Sequence, residues 1–336
     1  MMKSLVIMLS TLSLLYGNSP ELLDADLNDT IASPLPSQEI ASLEMQPLLQ
    51  NSFTSQTIPL PEPLKPVVQK KPWVAVSLSS LFPGLGHMYL GDHQTASALM
   101  GTTSLGLGLL SGGIIHRPAG IITTVTTLQA TSFYGIYAAY RDARLHNGSF
   151  HYSYQMPTDN LSDLAFAPFR WNVLKKPQVW GGLLGCLAAG SALTYFAYPE
   201  KEKMQTHSAS TSIPSIIALP VGLGEEAFFR GYLQSALSEA LNPTAGTILS
   251  SVIFAAAHQA NAYGLSSDHR WRYYAFSMPF LAAVGAYCGW MTHESHSLQQ
   301  SVALHTWYDF ILFSVGALAD NAMITGHPGF AFAMPF

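Results

Sequence analysis

From Trp73 to Leu318 the chain is built mainly of long apolar runs, each closed by a polar or helix-breaking residue. The runs at 94–115 and 119–140 are parted only by HRPAG, and each is close to the roughly 20 residues that a transmembrane helix needs. Before them, residues 73–92 are equally apolar but are broken by Pro83, Gly84 and Gly86. Because Pro83 lacks an amide donor, that stretch reads either as a further span or as a kinked or re-entrant one. Five more runs follow, at 179–198, 213–241, 244–261, 273–292 and 298–318, with Pro, Asn, Gly or charge at their junctions. No internal repeat is evident, and no alternation of period two lasts long enough for a membrane barrel. The pattern predicts an all-α, polytopic integral membrane protein of about eight transmembrane helices.

The flanking segments divide the rest. Residues 1–17 have Lys3 ahead of an apolar core that is too short to span a bilayer, which predicts a signal peptide, or else an uncleaved anchor. Residues 18–72 read as a disordered, acidic, Pro/Ser-rich tether, with seven acidic and no basic residues in 18–64. An N-terminal helical membrane module is expected at 73–141, a basic interfacial loop at 142–178, a core at 179–318 and a C-terminal tail at 319–336. Arg141, Arg144, Arg170, Lys175 and Lys176 make the loop region the most basic part of the chain, and FAPFRW suggests a segment lying at the interface. The positive-inside rule places that loop in the cytoplasm. Three full spans after a cleaved signal peptide agree with this, yet Lys70 and Lys71 then lie on the outer side, which disagrees.

Composition strengthens the membrane reading. Hydrophobic residues make up 49% and charged residues 10% of the chain, against about 25% charged in ordinary globular domains. The mean hydropathy of +0.22 is modest because the polar N-terminal region dilutes it. A net charge of −5 with no basic face argues against nucleic acid as a partner. Cys186 and Cys288 both sit in apolar runs and read as small buried hydrophobes, not as a disulfide or a zinc site.

Six ionisable residues fall inside the apolar runs of the second half: Glu225, Glu226, Arg230, His258, His305 and Asp309. Charge at membrane depth is costly, so such residues point to function. Glu226 and Arg230 are four apart, share a helix face and can neutralise each other. Glu225 lies about 100° around the helix from Glu226 and can face elsewhere. His258 follows Phe254 by one turn, and His305 and Asp309 are again four apart, on one face. One carboxylate and two imidazoles converging on a wet pocket suit general-base activation of water and stabilisation of an oxyanion. Helix packing alone is the competing reading, above all for Glu226 and Arg230.

The segments EEAFFR, FAAAH and HTWYD, in this order on separate helices, resemble the EExxxR, FxxxH and HxxxN/D motifs of the CAAX-protease and bacteriocin-processing family, over residues 179–318. The resemblance implies a membrane endopeptidase in which Glu225 is the general base and His258 helps to hold the attacking water. It also implies His305 and Asp309 near the oxyanion, with Glu226 and Arg230 in support. Well-known prenyl-protein members have Asn where this chain has Asp309, and an aspartate donates a hydrogen bond only when protonated. Asp309 can instead orient His305 or keep it charged. No cofactor is expected. Zinc on His258, His305 and a carboxylate stays open as an alternative, although no HExxH pair supports it. LFPGLGHMYLGD resembles the Pro-Gly-x-Gly-x-x-Tyr-x-Gly motif of small bacterial membrane proteins with a helical hairpin. There His87 and Asp92 read as packing or interface residues.

The expected partners are membrane lipids and a peptide or protein substrate that can itself be membrane-anchored. The expected location is a bacterial inner (cytoplasmic) membrane. The rivals are a catalytically inactive scaffold or immunity-type protein and, less well supported without repeats, a proton-relaying transporter.

Overall fold

The computed structural model describes residues 68–148, 151–197, 215–263 and 265–325, with 316–325 as backbone alone. The expected signal segment, the tether up to residue 67 and the tail beyond 325 lie outside the described residues. Among the described residues all regular structure is helical. By length and composition one helix among the described residues, Pro177–Ala197, is long and apolar enough to cross a membrane.

The broken run at 73–92 forms two short helices and not one continuous helix. Helix α1, Pro72–Leu81, ends before Pro83, and α2, Leu85–Leu90, turns back alongside it. Gly84 makes the turn with φ +99°, a conformation that disfavours side chains, and a Cβ there would stand 2.6 Å from the carbonyl oxygen of Ala96. The two ends of the hairpin meet: the Lys71 amide donates to the Tyr89 hydroxyl and the Lys70 ammonium to the Tyr89 carbonyl, both at 3.0 Å. Gly86 lets α2 approach the Ala75 carbonyl and the Ser79 hydroxyl of α1, with Ala139 on the far side. Asp92 accepts from the Thr95 amide at 3.0 Å and caps α3, His93–Ser111.

Helix α4, Pro118–Asn147, runs past the expected module boundary at 141, so Arg141 and Arg144 belong to its last turns and not to a free loop. Protein carboxylates pair with both, Arg141 Nε with Asp142 Oδ1 at 2.7 Å. Arg141 Nη1 donates to the Asp159 carbonyl at 2.6 Å, and Arg144 pairs with Glu239 at 3.3 Å and lies 3.9 Å from the centre of the Tyr152 ring. The Lys70 amide donates to Asn147 Oδ1 at 2.8 Å, which brings the mouth of the hairpin to the same end of the molecule. Short helices α5, Leu161–Phe166, and α6, Trp171–Leu174, with the 3-10 turn Ala167–Phe169 between them, then carry Phe166, Phe169 and Trp171 outward, all exposed.

Helix α7, Pro177–Ala197, follows, and the remaining helices enclose the core. A 3-10 turn, Ser215–Ile217, leads into α8, Ala218–Glu226; a π-helical stretch, Ala227–Gln234, continues it into α9, Ser235–Ala240. The sequence pattern predicts one regular helix here, and the wide turn is visible only in the structure. Asn242 caps α10, Pro243–Ala257, which ends in a 3-10 turn at His258–Ala262 where the pattern predicts continued helix. Helix α11, Ser267–Arg272, passes through a second π stretch into α12, Met278–Ser295. Helix α13, Gln299–Thr325, extends past residue 318, the expected end of the core. Pairs α10 and α12, α8 and α13, and α4 and α8 pack together. Their apolar centres include Tyr137, Leu164, Leu298 and Val302 on one side, and Leu183, Met291 and Leu304 on the other.

Candidate active site

Two glycines in PVGLGEE bring the site together. They are two residues apart, about 200° around α8, so they face different neighbours. A Cβ at Gly222 would stand 2.7 Å from Thr306 Oγ1 on α13, and one at Gly224 would stand 2.7 Å from Ala130 Cα on α4. Such close approach sets Glu225 and Glu226 directly beside His305.

Glu226 is fully buried and accepts two hydrogen bonds at one oxygen, Oε1: from Arg230 Nη1 at 3.0 Å and from His305 Nδ1 at 2.8 Å. The expected pairing with Arg230 is present, and the bond to His305 is a role that sequence spacing did not suggest. Glu226, not Asp309, therefore engages Nδ1 and orients the His305 ring. Asp309 faces the other nitrogen, with Oδ2 at 3.5 Å from Nε2.

His258 is oriented by its own helix. Its Nδ1 lies 2.8 Å from the Phe254 carbonyl, which can only accept, so Nδ1 carries the proton and Nε2 is left as an acceptor. Phe254 has a second task, because the Arg230 guanidinium lies 4.3 Å from the centre of its ring. The Phe254 and His258 rings are themselves in contact, with centroids 4.7 Å apart. The Tyr273 hydroxyl donates to the His258 carbonyl at 2.8 Å, which satisfies the end of α10.

Glu225 stands between these arms. Its Oε2 is 4.0 Å from His258 Nε2 and 3.9 Å from His305 Nε2, too far for direct hydrogen bonds and close enough for a bridging water. The side chains of Glu225, His305 and Asp309 are each 13% exposed, against 0% for Glu226 and 1% for Arg230. The outer three can therefore meet a ligand and the inner pair cannot. All six candidate residues are brought together. Phe254 was noticed in the sequence only for its place in the FxxxH spacing, and its double contact is the physical content of that spacing.

Beyond this ring the π stretch continues a buried polar ladder. Arg230, Gln234 and Ser238 follow Glu226 at four-residue steps, and each keeps at least one polar atom without a protein partner. Gln234 Nε2 donates to the Gly289 carbonyl at 2.9 Å. Among the described residues no three His, Cys, Asp or Glu side chains are grouped so as to hold a metal ion.

Comparison with curated proteins and with solved structures finds no match for the chain. Residues 209–311 match the family model described as Rce1-like, type II CAAX prenyl endopeptidase Rce1-like, and this is the segment in which Glu225, Glu226, Arg230, His258, His305 and Asp309 meet.

Proposed function

We propose that the chain is a membrane-embedded endopeptidase, CAAX-protease-like, that hydrolyses a peptide bond with a water activated by Glu225 and without a metal. One observation carries this reading: Glu225 faces the Nε2 atoms of two histidines whose Nδ1 atoms are already engaged by Phe254 and Glu226. In the proposed reaction, water bonded to Glu225 and His258 gives a proton to the Glu225 carboxylate. Its oxygen forms the new bond to the scissile carbonyl carbon, and charge moves onto the carbonyl oxygen. His305, doubly protonated, keeps its Nδ1–H hydrogen-bonded to Glu226 and offers a hydrogen bond from Nε2–H to that oxyanion, with Asp309 beside it. Collapse breaks the C–N bond, and the proton held by Glu225 passes to the leaving amine.

Several features support a polytopic helical core in a bilayer, with seven crossings if the α1–α2 hairpin is re-entrant. Leu105, Leu107, Leu184, Ile248 and Val252 are exposed on helix exteriors, where lipid would cover them. Phe166, Phe169 and Trp171 suit the lipid–water interface. Since the α1–α2 hairpin returns to its starting end, Lys70 and Lys71 lie with Arg141 and Arg144, and the positive-inside rule assigns that end to the cytoplasm. The conflict between Lys70, Lys71 and the basic loop thus disappears if the hairpin is re-entrant. A bacterial inner membrane remains the proposed location, with lipid and a peptide or protein substrate as partners.

The test compares purified wild type with Glu225→Gln on a quenched peptide library in detergent, with and without chelator. Wild-type cleavage is expected to survive the chelator and to fall about 10²- to 10⁴-fold in the variant. Loss with chelator would replace this reading with a zinc enzyme. Unchanged cleavage by Glu225→Gln would overturn the glutamate mechanism.

A further inference from the structure

Between α4 and α7 the chain lies against α13, the helix that carries His305 and Asp309. Residues 159–170 of this strap are outside the segment 209–311 that matches the family model. They hold α13 by polar bonds at two levels. At its start the Asp159 carboxylate, 8% exposed, accepts from the Leu298 amide at 2.7 Å and from the Ser297 hydroxyl and the Gln299 carboxamide, both at 2.9 Å. Arg170 Nη1 adds a bond to Gln299 Oε1 at 3.1 Å. About two and a half turns further on, the Trp307 indole N–H donates to the Pro168 carbonyl at 2.9 Å. His305 lies between the two levels. Asp159 is itself held by α4, because its carbonyl accepts from Arg141 Nη1 at 2.6 Å and from the Tyr137 hydroxyl at 3.0 Å.

These bonds supply what apolar packing cannot. Leu298, Val302 and His305 recur at i, i+4 and i+7 and so share one stripe of α13. Leu298 and Val302 are buried in one cluster with Leu164 of the strap and with Leu223 and Ala227 beside the two glutamates. Such burial is non-directional, so it opposes separation of the helices more than sliding or turning. The close approach of Gly222 to Thr306 is likewise a single point of contact. The 2.8 Å bond from His305 Nδ1 to Glu226 needs more, since a hydrogen bond weakens steeply with misalignment. Hydrogen bonds to a carboxylate at the start of α13 are directional and strong, and they fix the helix along and about its axis.

We propose that the strap sets the placement of α13 and that Asp159 is a positioning residue acting through His305, keeping Nδ1 on Glu226 and Nε2 turned toward Glu225. The Trp307 bond to Pro168 is the second hold. The kinetic consequences rest on the proteolytic reading, whereas the state of the His305 ring can be read without turnover.

The test uses full-length protein in detergent and two readouts. The first is cleavage of the quenched peptide library. kcat is expected to fall about tenfold to a hundredfold in Asp159→Ala, and severalfold in Trp307→Phe, with KM little changed, because the displaced group acts on the transition state. Asp159→Asn, which still accepts from the Leu298 amide and can donate to the Ser297 hydroxyl, is expected to recover most of the loss. Asp92→Ala removes a cap from α3, which carries no site residue, and is expected to keep the wild-type kcat. The second readout is the Nδ1–H resonance of His305 in protein labelled with 15N-histidine, assigned by its loss in His305→Gln. It is expected to shift or vanish in Asp159→Ala and to persist in Asp92→Ala. Unchanged kcat and resonance in both Asp159→Ala and Trp307→Phe would overturn the strap proposal and leave the protease reading intact. An equal loss in Asp92→Ala would also overturn it, by making Asp159 a general stabiliser. A resonance lost in Asp159→Ala, with no cleavage by wild type, would uphold the strap and overturn the protease reading. An unchanged resonance with no cleavage by wild type would overturn both.

Discussion

Glu225 and Glu226 are adjacent in sequence and opposite in duty. Glu226 is sealed under Arg230 and His305, so Glu226→Gln would leave a buried guanidinium without its counter-charge. Removing one partner of a buried pair costs about 3–5 kcal/mol, and a large drop in thermal midpoint in detergent is expected. Glu225 holds no such pair within hydrogen-bonding distance, so Glu225→Gln is expected to melt close to wild type while losing activity. A reversed ranking of the two midpoints would contradict these assignments. At the C-terminal end of α4, burial pushes the Asp142 carboxyl up, but His87 and Arg141 beside it more than compensate and hold it below the ordinary carboxylate range. Its folded-state value is therefore lower than its unfolded value of about 3.9. The resulting stability is present above that pH and is lost as pH falls through the folded value. Acid titration of unfolding should steepen below about pH 4 in wild type, and less so in Asp142→Asn.

Helices here are shaped by the polar ladder as much as by apolar burial. Opposite Arg230 and Gln234, helix α12 presents Gly285 and Gly289, and a Cβ at Gly289 would stand 2.6 Å from Gln234 Oε1. Gly289→Ala is expected to cost about 1–3 kcal/mol, as overpacking of a tight core does. A calorimetric or fluorescence melt that left the variant unchanged would show that Gln234 can move aside. The π stretch at Ala227–Gln234 sits immediately after the two glutamates, a setting in which π-helical turns recur. Helical periodicity at 100° per residue gives no sign of it, because the same apolar residues fit either turn.

Across the whole molecule, the hairpin and the direction of α10 settle which groups share an end. Helix α10 starts next to α9, near Glu239, and carries His258 about 22 Å away along its axis. Substituting cysteine for Lys71, Gln155 or Tyr263 in separate variants tests this with a membrane-impermeant maleimide, since Cys186 and Cys288 are buried. Positions 71 and 155 are expected to react from one side and position 263 from the other. Reaction of 71 and 155 from opposite sides would mean that the α1–α2 hairpin crosses the membrane.

Local spacing made much of this protein legible. Runs of apolar residues predicted the helices, and pairs four apart identified Glu226 with Arg230, Phe254 with His258, and His305 with Asp309, because a helix brings such residues onto one face without help from the rest of the chain. Motif order then pointed to the core that the family model matches. What the one-dimensional pattern could not contain is distance between helices. The bond from His305 to Glu226 joins residues 79 apart in sequence, and in the sequence Glu226 already had a sufficient partner in Arg230. The return of Lys70 to Tyr89 depends on a turn at Gly84 that apolar run length cannot distinguish from a crossing. The inward role of Glu226 and the shared end of the basic residues were decided by packing, because only packing determines which side chains are sealed and which are left free.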